Sequence, residues 1–102
     1  MEENLKKPQY VLQSVACALD VLDLLSNHKT LGVSEVATLL EIGKSTAYRL
    51  LQTLENRKYV SKDINSRYRL SIKFAYMGSI VLDRLEIVKL ARPYLERLSE
   101  IT

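Results

Sequence analysis

A chain of 102 residues, 47% hydrophobic and 26% charged, has room for one small core and falls in the composition range of globular domains. Membrane spans need roughly 20 consecutive apolar residues, and no run here approaches that. The start, Met1-Glu2-Glu3-Asn4, is acidic where an export signal is basic, and one cysteine with one histidine builds neither an internal disulfide nor a zinc site. These observations lead us to expect a cytoplasmic domain without cofactor, metal or membrane partner.

The net charge of +3 conceals a segregation. Between Lys44 and Lys73 stand eight basic residues (Lys44, Arg49, Arg57, Lys58, Lys62, Arg67, Arg69, Lys73) against two acidic ones, Glu55 and Asp63, a surplus of six. The remainder carries seven basic and ten acidic residues and is net acidic. A concentrated basic window is the electrostatic footprint of a nucleic-acid partner.

In chain order, residues through Pro8-Gln9 carry no pattern. Tyr10 to Ser26 reads as a helix, with Leu12, Val15, Leu19 and Leu22 at helical spacing and Val11, Ala18, Val21 and Leu25 widening the stripe. So wide a stripe fits a helix buried on two sides of its own domain, or one shared between the core and a second subunit. After the polar break Asn27-His28-Lys29-Thr30, Ser34 is the expected N-cap of a short helix carrying Val36, Ala37, Leu39 and Leu40, with Glu35 near the positive end of its dipole. Ile42-Gly43 forms a tight turn. A third helix starts at Lys44 or Ser45, with Ala47, Leu50, Leu51 and Leu54 facing the core. Lys44, Ser45, Tyr48, Arg49 and Gln52 then form one polar face with Thr46 at its margin.

The period changes at Tyr59-Val60-Ser61-Lys62 and Arg67-Tyr68-Arg69-Leu70, two short strands joined by Asp63-Ile64-Asn65-Ser66. Tyr68 and Leu70 share one face of the second strand, Arg67 and Arg69 the other. A fourth helix is expected from Ser71, with Phe74, Met77, Val81 and Leu85 on one stripe. The expected fold class is mainly α with a small β-hairpin: a winged helix-turn-helix followed by a linker helix. In such a fold the third helix can enter the major groove of duplex DNA, and the hairpin can lie on the backbone or in the minor groove. Lys44, Ser45, Thr46, Tyr48 and Arg49 are the candidate contacts on the helix, Arg67 and Arg69 those on the wing. Weaker candidates are Lys62 and Lys73.

Several stretches resemble the N-terminal region of the IclR family of bacterial transcriptional regulators. They are Ala18-Leu19-Asp20-Val21-Leu22-Asp23-Leu24-Leu25, Val33-Ser34-Glu35-Val36-Ala37, Lys44 to Leu51 with Leu54-Glu55, Tyr59-Val60, Arg67-Tyr68-Arg69-Leu70, and Ala91-Arg92-Pro93-Tyr94-Leu95. The sequence departs from the family pattern at Glu41 and Gly43, where glycine and proline are usual, and at Lys58, usually glycine. We expect a homodimer that controls transcription by occupying a pseudo-palindromic operator, and the resemblance implies such a transcriptional regulator. It also implies a linker helix and a larger effector-binding domain. Residues 1–78 would then be the DNA-binding domain, and 79–102 the linker and the first helix of a truncated second domain, so that the small-molecule effector pocket lies outside this chain.

The apolar tail Ile80, Val81, Leu82, Leu85, Ile87, Val88 and Leu90 needs a cover, either a second subunit or a missing domain. The resemblance favours dimerisation, with Leu12, Val15, Leu82 and Leu85 as the candidate contacts. A new helix could open at Glu86, and Pro93 must kink or restart it. Gly43-Lys44-Ser45 is no P-loop, because Thr38 stands where the first glycine belongs and a helix precedes it. Cys17 lacks a base and reads as packing, His28 reads as exposed, and no catalytic constellation stands out. The alternative to DNA binding is a winged-helix protein-interaction module, which would present an apolar or acidic third helix rather than a basic, hydroxyl-rich one.

Overall fold

A computed structural model describes residues 10–85. The elements follow in the order α1 (Gln13–Ser26), α2 (Val33–Leu40), α3 (Lys44–Asn56), β1 (Val60–Lys62), β2 (Tyr68–Leu70) and α4 (Lys73–Leu85). The chain divides into two compact units after Ser71, so α4 belongs to the second.

The first unit has one core. Val21 and Leu25 of α1, Leu31, Val36 and Ala37, Ala47, Leu51 and Leu54 of α3, Val60 and Tyr68 close on one another, with Ala18, Leu22, Val33, Leu40, Ile42, Leu50 and Leu70 packed around them. Tyr68, Leu51, Val21 and Val36 are the largest side chains removed from water entirely. Each such aliphatic residue contributes about 1.5–3 kcal/mol by transfer alone.

The apolar stripe of α1 separates into two faces. Val21 and Leu25 enter the core, whereas Leu12 (68%), Val15 (52%) and Leu19 (55%) are exposed. Burial of the whole stripe within this unit is thereby excluded. The helix also begins at Gln13, three residues later than Tyr10, and Leu12 offers no capping side chain.

The start of α2 differs from expectation. Its N-cap is Gly32, not Ser34, and Glu35 Oε1 accepts the Gly32 N–H at 2.8 Å. Glu35 stands three residues past the cap, which is half of a capping box. Of its apolar residues Val36 and Ala37 are buried, whereas Leu39 is 52% exposed, since the core face of this short helix runs through Val36 and Ala37.

Both helices of the pair end in Schellman caps. Past α2, Ile42 N–H donates to Ala37 O (3.0 Å) and Glu41 N–H to Thr38 O (3.2 Å). Past α3, Tyr59 N–H donates to Leu54 O and Lys58 N–H to Glu55 O, both at 2.9 Å. This motif needs a left-handed residue, usually glycine. Here Glu41 (φ 56°) and Lys58 (φ 73°) occupy it. These are the two positions where the sequence departs from a usual glycine.

The strands pair antiparallel, with Val60 opposite Leu70, Ser61 opposite Arg69 and Lys62 opposite Tyr68. Leu31, just before α2, extends this pairing. Its N–H donates to Tyr68 O (3.0 Å) and its carbonyl accepts the Tyr68 N–H (2.7 Å). The expected fourth helix starts at Lys73 rather than Ser71, and Ser71 still belongs to the hairpin, with its N–H donating to Tyr59 O. The expected restart at Glu86 and kink at Pro93 lie outside the described residues.

Candidate nucleic-acid interface

The sequence of α3 places its two faces in different media. Ala47, Leu51 and Leu54 recur on one side and are buried. Opposite them Ser45, Tyr48 and Arg49 are exposed, as is Lys44 in the first turn. Gln52 is half-buried, and its Nε2 donates to the Tyr48 hydroxyl, which ties two polar groups into one surface. Thr53 Oγ1 donates to the Arg49 carbonyl (2.8 Å), anchoring that side chain one turn below Arg49.

Thr46 is half-buried. Together with Arg49 it lines a groove between α3 and α1, whose other walls are Gln13, Ser14, Cys17, Leu50 and Thr53. Gly43 enters α3 in an extended conformation without a side-chain cap. The first-turn N–H groups and the positive end of the dipole therefore add to the charge of Lys44 and Arg49.

The wing is preorganised by Asp63. Its Oδ1 accepts the N–H groups of Asn65 (2.8 Å) and Arg67 (3.0 Å), its carbonyl accepts the Ser66 N–H, and Ser66 takes a left-handed conformation (φ 61°). The Arg67 N–H, then the Asn65 N–H and the charges of Arg69 and Arg67, hold the Asp63 carboxyl below the usual carboxylate range. At the tip Ile64 is 98% exposed. Sequence reading assigned Ile64 no role, because it stands in a turn where no apolar alternation applies.

The two wing arginines differ. Arg69 is exposed beside Ser61. Arg67 turns back to the domain: its Nε donates to Thr30 Oγ1 (2.9 Å) and its Nη2 to the Thr30 carbonyl (3.2 Å), while Nη2 also pairs with Glu35 Oε1 at 2.9 Å. The Gly32 N–H, then the charge and hydrogen bond of Arg67, lower the Glu35 carboxyl below its ordinary range. Lys62 lies over the Tyr68 ring, 5.7 Å from its centroid. Lys73 belongs to α4 and has a partner of its own.

Of the apolar candidates, Leu12 and Val15 lie on the exposed face of α1, in a shallow groove with Tyr10, Val11, Ala16 and Leu19. On α4, Leu85 is exposed and Leu82 half-buried. Cys17 is a free, half-buried thiol. His28 is exposed, with Nδ1 3.0 Å from the Leu24 carbonyl. Among the described residues no group of histidine, cysteine and carboxylate side chains is placed to hold a metal, and no helix is long and apolar enough to cross a membrane.

A helix pair with a tight turn, a polar outer face on its second helix and a basic hairpin define a winged helix-turn-helix domain. Residues 14–63 match the IclR helix-turn-helix domain. An HTH-type transcriptional regulator of Haemophilus influenzae is 42% identical over 90 residues, 85% of this chain and 33% of that protein. XynR, an HTH-type transcriptional regulator of Escherichia coli, is 34% identical over 94 residues, 90% of this chain and 37% of the relative. The IclR transcriptional regulator of Alicyclobacillus acidocaldarius superposes with a TM-score of 0.68 at 40% identity, covering 72% of this chain and 31% of that one. A Brucella abortus IclR family regulator gives 0.71 at 29% identity, covering 86% and 34%. The chain spans about a third of the length of the curated relatives it matches. It belongs to the IclR family.

Proposed function

We propose that the chain binds duplex DNA sequence-specifically, with α3 in the major groove and the wing along the adjacent backbone or minor groove. Carrying this reading is the surface of α3: a polar face of Ser45, Tyr48, Arg49 and Gln52 on a helix whose opposite face is locked in the core. Lys44, Ser45, Thr46, Tyr48 and Arg49 contact bases and phosphates. On the wing the exposed Arg69 meets the phosphates, Arg67 being engaged at Thr30 and Glu35.

Two copies act together on a pseudo-palindromic operator, recognition helices about 34 Å apart in successive major grooves. Leu12 and Val15, with Leu82 and Leu85 of the linker helix, supply the apolar contacts between the copies. Residues 1–78 form the DNA-binding domain and 79–102 lead toward an effector-binding domain, through which a small molecule adjusts operator occupancy in the cytoplasm.

The test is selection of bound sites from random duplexes, followed by fluorescence anisotropy across a salt series. Each neutralised phosphate releases counterions, so affinity must fall steeply with salt. Affinity that hardly changes between low and moderate salt refutes the reading.

A further inference from the structure

We propose that Arg67 is a positioning residue: its guanidinium clamps the wing to the loop before α2 and to the first turn of α2, fixing where Arg69 meets DNA, and makes no DNA contact itself. The inference rests on the DNA-binding reading above.

Leu31 and Arg67 mark two sets of bonds that join the base of the wing to the segment entering α2. One is the reciprocal backbone pairing of Leu31 with Tyr68, which holds β2 against the segment entering α2. The other is Arg67, whose Nε reaches Thr30 Oγ1 and whose Nη2 reaches both the Thr30 carbonyl and Glu35 Oε1. Glu35 Oε1 also receives the Gly32 N–H that starts α2. The same carboxylate thus caps the helix and receives the wing. The contacts need a planar fork, because donors on different nitrogens must reach the hydroxyl, the carbonyl and the carboxylate together. A lysine ammonium delivers the same charge but not that geometry.

Pairing a cation with Glu35 also removes it from the pool that neutralises phosphates. Arg69, two residues on in the same hairpin, is exposed to solvent. Val60 and Tyr68 seat the hairpin in the core; without the clamp the Arg67 end of the hairpin would be looser, and binding would have to order it. The clamp settles that order before DNA arrives.

Anisotropy titrations of the operator duplex over a salt series separate the roles, using Arg67→Lys, Arg67→Ala, Glu35→Gln and Arg69→Ala. If Arg67 is a clamp, Arg67→Lys and Arg67→Ala weaken binding alike, roughly three- to tenfold for a hairpin that must be ordered on binding. The slope of log affinity against log salt keeps its native value in both, whereas Arg69→Ala reduces it by about one. Glu35→Gln weakens binding too, although removal of a negative charge near DNA would by itself strengthen it.

Near-native affinity in Arg67→Lys, or a slope reduced by about one in Arg67→Ala, makes Arg67 a phosphate contact and overturns the proposal. Tighter binding by Glu35→Gln overturns it as well. Hydrogen exchange at the Leu31 and Tyr68 amides, measured without DNA, must quicken in Arg67→Lys and Glu35→Gln while the rest of the core stays protected. Unchanged exchange there overturns the clamp whatever the DNA result. A native chain that shows no salt-dependent duplex binding refutes the DNA reading instead and leaves the exchange data to judge the clamp. Should Arg67→Ala fail to fold, the lysine and glutamine variants carry the test.

Discussion

Replacing Lys58 with glycine should stabilise the first unit. Lys58 is the left-handed residue of the Schellman cap that ends α3, with φ 73°. An L-residue in that region sets its Cβ against the following carbonyl at roughly 1–2 kcal/mol, which glycine escapes. Glycine returns about 0.5–1 kcal/mol through its larger freedom in the unfolded chain. The difference is a gain of about 0.5–1 kcal/mol, or a melting temperature roughly 2–8 °C higher for a domain of this size. Lys58→Ala is the control: it removes the charge and keeps the Cβ, so the strain persists and no gain is expected. Thermal denaturation followed by circular dichroism reads both. A Lys58→Gly variant that melts at or below the native temperature refutes the argument. So does an alanine variant that gains as much, since charge rather than backbone would then be responsible. Glu41→Gly poses the same question at the end of α2, and the two gains should add because the caps are separate.

Arg49→Ala should weaken operator binding by about 1–3 kcal/mol if Arg49 reads a base, whereas an equal loss on random duplexes would mark a phosphate contact. Leu51 is fully buried in the core, so Leu51→Ala leaves a void there and should lower unfolding stability by about 2–5 kcal/mol in a denaturant titration. Glu35 and Asp63 are both held below the usual carboxylate range in the folded state, so each contributes stability above its unfolded pKa and loses it as pH falls through the folded one. Stability should therefore decline on acidification, and a double Glu35→Gln, Asp63→Asn variant should show a flatter acid limb in pH-dependent melting. Val15→Glu places a charge on the exposed apolar face of α1; under the proposed pairing of two copies, sedimentation velocity should show a dimer for the native chain and a monomer for the variant, with the helical spectrum kept.

Elements with strong local patterns were legible in the sequence. The i, i+3, i+4, i+7 spacing of Ala47, Leu50, Leu51 and Leu54 fixed both the burial and the polar face of α3. The alternation around Tyr68 located the wing. Local patterns also misled where a distant partner decides the outcome. Arg67 and Arg69 alternate as a matched pair, yet only Arg67 meets Thr30 and Glu35, more than thirty residues earlier. No spacing rule reports such an encounter. Ser34 is a favourable cap by residue type, but the capping box spacing from Gly32 to Glu35 decided the start of α2. The departures from glycine at Glu41 and Lys58 were visible as letters. Their meaning as left-handed cap residues required the hydrogen bonds past each helix. The breadth of the α1 stripe is visible in the sequence and fits two readings; only the structure separates its buried face from its exposed one.

Tyr68 is a wing residue and also the largest side chain fully withdrawn from water, and its backbone pairs with Leu31. The helix pair is accordingly unfinished until the chain has run through the hairpin and returned. A nascent chain that has not yet emitted Tyr68 has a hole where the core should close, which makes the wing a keystone rather than an appendage. Exchanging the outer face of α3 leaves this closure untouched. Exchanging the hairpin means carrying Thr30, Leu31 and Glu35 along with it.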